Sequence, residues 1–220
     1  MPTHPDTLHW DTVSPYLKNI LLQLMQEPLF NTFRLVGGTA LSLQAGHRHS
    51  VDIDLFTDNL YGTINFESID AYLRNNFAYV WPPILRQPVA IGTSYTIGTD
   101  TTNAIKLDIF HTDPFVYETL VHDGVRMADT KEILAMKMDV ILRGGRKKDF
   151  WDVHAYINAY TASEMQELHS NRYPYTTYTS LKEQLTNFDI ADAEPDPVCL
   201  KNKNWQIIKL DIVEWANESF

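Results

Sequence analysis

The chain has 220 residues, with 18 Lys+Arg against 28 Asp+Glu and a formal net charge of -10 at pH 7; 44% of it is hydrophobic, 12% aromatic and 21% charged. That size suits one large domain or two small lobes, and this much apolar and aromatic surface excludes a disordered chain. The acidic total argues against indiscriminate coating of DNA or an anionic membrane, and the single cysteine, Cys199, excludes an intramolecular disulfide or a zinc ribbon.

In chain order, the opening MPTHPDTLHW lacks the cationic and apolar regions of a secretory leader. No apolar run approaches the roughly 18 residues that a bilayer requires, so the expected compartment is the cytoplasm. Ser14-Pro15 signals a helix start, and Leu17, Ile20, Leu21 and Leu24 recur at helical spacing up to about Gln26. Thr32 to Val36 reads as a short strand running into Gly37-Gly38, after which Thr39 to Ala45 carries helix formers up to Gly46. From Ser50 to Thr57 residues alternate: Val51, Ile53 and Leu55 point one way, Asp52, Asp54 and Phe56 the other. Phe66 to Phe77 reads as a helix. Val89 to Ile97 and Asn103 to Phe110 read as an antiparallel strand pair joined at Gly98-Thr99-Asp100, and Gly124 to Met127 as a further short strand.

Beyond residue 128 the patterning becomes helical. Asp129 with Glu132 has capping-box spacing and opens a helix to about Leu142, stopped by Arg143-Gly144-Gly145. Lys147 to Tyr160 is the next expected helix. Ser163 with Gln166 and Ser180 with Glu183 are read as two more caps, and Trp205, Ile208, Ile212 and Trp215 as the stripe of a terminal helix. Tyr173 to Tyr178 and Pro195 to Pro197 read as loops. The expected architecture is an α/β (α+β) lobe with a mixed sheet over residues 1–128, followed by a helical lobe over residues 129–220.

Two carboxylates two residues apart on a strand, Asp52 and Asp54, project from one face with Cα atoms about 7 Å apart. In Lys106-Leu107-Asp108-Ile109-Phe110 the same alternation sends Asp108 away from the buried side. If the two strands are neighbours, three acids converge, an arrangement tolerable mainly when divalent cations neutralise it. Two such ions can clamp the entering and leaving oxygens of a phosphoryl or nucleotidyl transfer. Gly37-Gly38 at a helix mouth adds a place where backbone N–H groups meet a phosphate. On the expected Asp129 helix, Lys137 falls within the apolar face of Ile133, Leu134, Met136, Val140 and Ile141, so it either snorkels or points into a cleft. A basic run follows, Arg143, Arg146, Lys147 and Lys148, and then Asp149 and Asp152. Asp149 shares a stripe with Val153, Tyr156 and Tyr160, which suits a buried pairing role. Asp152 shares its side with Ala155 and Ala159, which leaves room for a substrate.

The run Leu35-Val36-Gly37-Gly38-Thr39-Ala40-Leu41 through Gly46-His47-Arg48-His49-Ser50-Val51-Asp52-Ile53-Asp54-Leu55-Phe56, with Lys137 and Lys148-Asp149-Phe150-Trp151-Asp152, closely resembles the AbiEii/AbiGii abortive-infection toxin family within the DNA polymerase β-like nucleotidyltransferases. The likeness spans about residues 33–158. It implies catalysis by Asp52, Asp54, Asp108, Lys137 and Asp152, with Mg²⁺ or Mn²⁺ held by Asp52, Asp54 and Asp108. It places Gly38 and Ser50 near the triphosphate; Gly37, Thr39, Arg143 and Arg146 complete the expected nucleotide contacts, the two arginines as charges assisting Lys137. It further implies transfer of NMP from an NTP to an RNA hydroxyl, the tRNA 3′ end above all, and a cognate antitoxin as partner. Two rivals fit the same residues: nucleotidylation of a small molecule, as in the aminoglycoside-modifying relatives, and a nucleotide- or partner-binding module without turnover. The histidines lack the spacing of a zinc site, His154 reads as a hydrogen-bonded core residue, and Cys199 as inert.

Overall fold

A computed structural model of the chain describes residues 7–85, 89–176 and 181–219. Its helices are α1 (Pro15–Gln26), α2 (Gly37–Ala45), α3 (Phe66–Asn76), α4 (Thr130–Leu142), α5 (Lys147–His154), α6 (Ala162–Arg172), α7 (Leu181–Leu185), α8 (Asp189–Asp192) and α9 (Trp205–Ser219). Its strands are β1 (Arg34–Leu35), β2 (Asp52–Thr57), β3 (Tyr79–Trp81), β4 (Gly92–Gly98), β5 (Ala104–His111), β6 (Leu120–His122) and β7 (Val125–Met127). They form one mixed sheet in the order β3-β4-β5-β2-β1-β7-β6. β2 and β5 run parallel at its centre, while β4 pairs antiparallel with β5.

Alternation on the central strands governs both the core and the site. Ile53 and Leu55 of β2 and Leu107 and Ile109 of β5 are fully buried on one face of the sheet. Their alternates, Asp52, Asp54 and Asp108, therefore stand together on the other face. Val51 departs from the expected pattern: it lies just before β2 and is exposed. One apolar core continues from the sheet into the helical half, where Trp205, Ile208, Ile212 and Trp215 of α9 are all buried as their spacing predicts.

Several boundaries differ from expectation for local reasons. α2 begins at Gly37, two residues early, because a glycine can enter the helix at φ 68°. Asp129 caps α4 through the N–H of Lys131, but Glu132 does not close a capping box. Its carboxylate instead accepts the N–H groups of Val116 and Tyr117 at 2.9 Å each and pairs with Arg172. α5 stops at His154 and residues 155–160 form turns, so the expected helix to Tyr160 is cut short. α6 is capped by Thr161 with Glu164 rather than by Ser163 with Gln166. The Ser180 cap lies outside the described residues. β3, β6 and α8 have no counterpart in the sequence reading; each is four residues or fewer. No helix among the described residues is long and apolar enough to cross a membrane.

Candidate active site

The β2/β5 register sets Asp54 directly beside Asp108 and Asp52 beside Lys106. Paired Cα atoms on neighbouring strands lie about 5 Å apart, so the three carboxylates share one small patch of the sheet. They form the floor of a cleft whose other walls come from Gly37, Gly38, Arg48 and Ser50 on one side and from Lys137, Val140, Arg146, Lys148 and Asp149 on the other. Burial, reinforced by the charges of Asp108 and Asp52, pushes the Asp54 carboxyl up to about 6 despite the opposing Lys137 and Lys106.

At the N-terminus of α2, Gly37 holds φ 68°, and a Cβ there would strike the Asp54 carboxylate. A Cβ on Gly38 would strike the guanidinium of Arg48. The two glycines thus let the backbone approach an acid and an arginine that side chains would exclude. No side chain caps the first N–H groups of α2, which leaves them for a ligand anion. Gly37→Ala is expected to cost about 1–3 kcal/mol of stability through the forced left-handed backbone, read by urea denaturation; a variant as stable as the parent contradicts this geometry.

Behind the cleft lies a charge cluster. Lys137 Nζ meets Asp149 Oδ1 and Asp152 Oδ2, each at 2.7 Å. Arg48 donates from Nε and Nη2 to the two oxygens of Asp152 at 2.6 and 2.8 Å, and His47 Nε2 stands 2.7 Å from Oδ1. Asp149 also accepts the N–H of Arg146 at 3.0 Å, closing the start of α5. Burial opposes ionisation of Asp152, but Lys137, Arg48 and His47 overcome it and hold that carboxyl well below the usual range. Burial likewise works against the Lys137 ammonium, and Asp152 and Asp149 reverse it, keeping its pKa above the ordinary lysine value. Burial lowers His47, so it stays neutral at pH 7.

The sequence expectations divide on this geometry. Asp52, Asp54, Asp108, Gly37, Gly38, Ser50, Lys137 and Arg146 all line the cleft. Thr39 does not: it is buried, with its hydroxyl 2.8 Å from Ser50 Oγ and donating to the Asp52 carbonyl, so it braces the strand that carries the acids. Asp152 has no exposed surface, so the space expected around it for a substrate is filled by three partner side chains. Asp149, assigned a pairing role only, pairs with Lys137 and also lines the cleft. Arg143 caps α4 beside Asp139, 2.8 Å away, and lines a different cavity. Three charged residues of the cleft carry no role in the sequence expectations: Arg48, Lys106, whose Nζ is 2.5 Å from Asp108 Oδ2, and Lys148, 3.7 Å from Asp52 Oδ2. The strand alternation that placed Asp108 places Lys106 on the same face, so that signal was present. His154 pairs with Asp211 at 2.7 Å, as a satisfied histidine does.

Among the described residues, no three His, Cys, Asp or Glu side chains form a ready-made metal cage, and two of the acids carry a lysine contact instead. The donor set nevertheless fits a hard divalent cation. All the donors are carboxylate oxygens, Asp108 Oδ1 is buried without a hydrogen-bond partner, and Asp54 is disfavoured as an anion until a positive charge compensates it. Lys106 and Lys148 stand as weak monovalent counterions at that patch.

The family model described as "Nucleotidyl transferase AbiEii toxin, Type IV TA system" matches residues 19–214. The Aquifex aeolicus protein aq_aa25 is 26% identical over 175 residues, covering 74% of this chain and 77% of that protein. Among solved structures, JHP933 from Helicobacter pylori superposes with a TM-score of 0.60 at 19% identity, over 92% of this chain and 88% of its own. MenT4, a nucleotidyltransferase toxin from Mycobacterium tuberculosis H37Rv, superposes with a TM-score of 0.58 at 12% identity, over 92% and 82%. At these identities the structural likeness concerns the fold.

Proposed function

The chain belongs to the AbiEii nucleotidyl transferase toxin family of type IV toxin–antitoxin systems, and from that membership we propose that it transfers NMP from an NTP to an RNA hydroxyl, the 3′ end of tRNA, with release of pyrophosphate. One observation carries the reading: the β2/β5 register sets Asp54 against Asp108, with Asp52 on the same face, under a Gly-Gly helix mouth and opposite Lys137. A Mg²⁺ or Mn²⁺ ion held by Asp52, Asp54 and Asp108 would lower the pKa of the attacking hydroxyl and draw charge from the phosphates.

The remaining work falls to the chain's own groups. The uncapped N–H groups of α2 at Gly37 and Gly38 receive the triphosphate, with the Arg48 guanidinium beside them. Arg48 keeps its charge because Asp152 outweighs the cost of its burial. Lys137, held ionised by Asp149 and Asp152, supplies a fixed positive charge from the facing helix, and Arg146 and Lys148 extend it to the rim. Such preorganised charges stabilise phosphates in the transition state without reorganisation. A cognate antitoxin is the protein partner proposed with this family role.

Lys137→Ala is expected to raise the barrier by about 2–4 kcal/mol, read as the single-turnover rate of a variant shown to be folded by circular dichroism; a wild-type rate removes Lys137 from the mechanism. The function itself is tested by incubating the protein with each labelled NTP, Mg²⁺ or Mn²⁺ and total tRNA. Labelled RNA from one or more nucleotides is the expected product. Label on a small molecule or on protein, with none on RNA, overturns the acceptor assignment.

A further inference from the structure

Beyond the C-terminal end of α4 a second cavity opens, lined by Arg143, Tyr173, Tyr175, Phe115, Val116 and Asn171 among others. Its wall is built around a buried charge. Arg172, with its side chain wholly buried, pairs with Glu132 and donates to Thr112 Oγ1 at 2.8 Å and to the Pro114 carbonyl at 3.3 Å. The same guanidinium lies over the rings of Phe115 and Tyr173, 5.3 and 5.2 Å from their centroids. Glu132 meanwhile holds the N–H groups of Val116 and Tyr117. The loop after β5 and the turn after α6 are thus fixed to α4 by one ion pair and its hydrogen bonds, and the aromatic wall is set in place before any ligand arrives. At the mouth stands Tyr175, 99% exposed, a large ring that contributes nothing to the core.

The cavity also adjoins the cleft. α4 presents Val140 to the cleft and Arg143 to the cavity, one helical turn or about 5 Å further along. From Asp108, the five residues to Asp113 on the cavity rim span at most about 17 Å. The exposed ring of Tyr175, on a cavity that Arg143 also lines and a short step from a phosphate-handling site, matches the chemistry of an unpaired nucleotide: a base to stack and a phosphate to neutralise. Duplex RNA offers no free base face, so the fit is to a single-stranded end. Asp113 on the same rim repels phosphate, which directs the backbone toward Arg143.

We propose that this cavity is an acceptor subsite, in which Tyr175, with Tyr173 and Phe115 behind it, stacks an unpaired nucleotide of the RNA acceptor next to its reacting end while Arg143 meets the adjoining phosphate. The proposal rests on RNA being the acceptor. The test compares wild type with Tyr175→Ala and Tyr175→Phe. Binding of a fluorescein-labelled RNA hairpin with a single-stranded 3′ tail is read by anisotropy without nucleotide, and the KM values for tRNA and NTP are read from transfer. Tyr175→Ala is expected to weaken tail binding and raise the RNA KM by about 5- to 150-fold. Tyr175→Phe should restore both, and the NTP KM should not move. A blunt-ended hairpin should bind both proteins alike. If wild type labels RNA and Tyr175→Ala keeps its RNA affinity and KM within twofold, the subsite is overturned while the function stands. If wild type labels only small molecules and binds no tail, both fall.

Discussion

Asp54→Asn is expected to abolish nucleotidyl transfer and at the same time to make the fold more stable at pH 7. Burial, with Asp108 and Asp52 adding to it, lifts the Asp54 carboxyl from 3.8 to about 6, so at neutral pH the folded state carries an anion that its surroundings disfavour. That displacement corresponds to about 3 kcal/mol, and water in the open cleft screens part of it, leaving an expected gain of about 1–3 kcal/mol for the neutral amide. The sign follows from linkage: a carboxyl raised on folding destabilises above its folded pKa and is without effect where both states are protonated. The advantage of Asp54→Asn should therefore be complete above pH 6 and disappear below about pH 4. Urea denaturation across that range checks it. A variant that is destabilised at pH 7, or that still transfers, contradicts the reading of Asp54 as an acid held in strain for a cation.

Asp152→Ala should act in the opposite way. Asp152 is enclosed by Arg48, Lys137 and His47, and its removal leaves two buried cations short of a partner. Breaking a buried pair in this manner costs about 3–5 kcal/mol. Because folding depresses its pKa, Asp152 stabilises the fold at every pH above the ordinary carboxylate range, and that contribution is lost as pH falls below it. The gap between wild type and variant should accordingly narrow below pH 4. The loss of transfer expected alongside comes from displacement of Arg48 and Lys137. A variant within about 1 kcal/mol of wild type, below the expected cost of a broken buried pair, yet inactive, would give Asp152 a direct chemical role instead.

The two aspartates show which part of the site was legible in the sequence. Asp52, Asp54 and Asp108 were readable because strand alternation is a period of two that any short segment displays, and the register then had only to bring β2 beside β5. Gly37-Gly38 was readable because few residues can replace it. Asp152 was misjudged for the converse reason. Its small neighbours along the helix suggested open space, whereas the residues that fill that space, His47, Arg48 and Lys137, come from more than a hundred and from fifteen positions away. Arg143 was drawn into the site by its place in a basic run, but a helix turn separates it from Val140 and sends it to the second cavity. Glu132 had the spacing of a cap and the environment of a buried ion pair, and the stronger partner prevailed. The cap of α6 falls two residues before Ser163, where Thr161 and Glu164 close a reciprocal capping box.

The assignment of the strand acids to a divalent cation is tested most directly by anomalous diffraction from crystals grown with Mn²⁺ and a non-hydrolysable NTP. A manganese peak is expected in contact with Asp54 and Asp108, with Asp52 or the nucleotide phosphates completing its ligands and Lys106 moved off Asp108. A nucleotide bound in the cleft with no metal at these carboxylates, or a manganese site elsewhere in the chain, would contradict it.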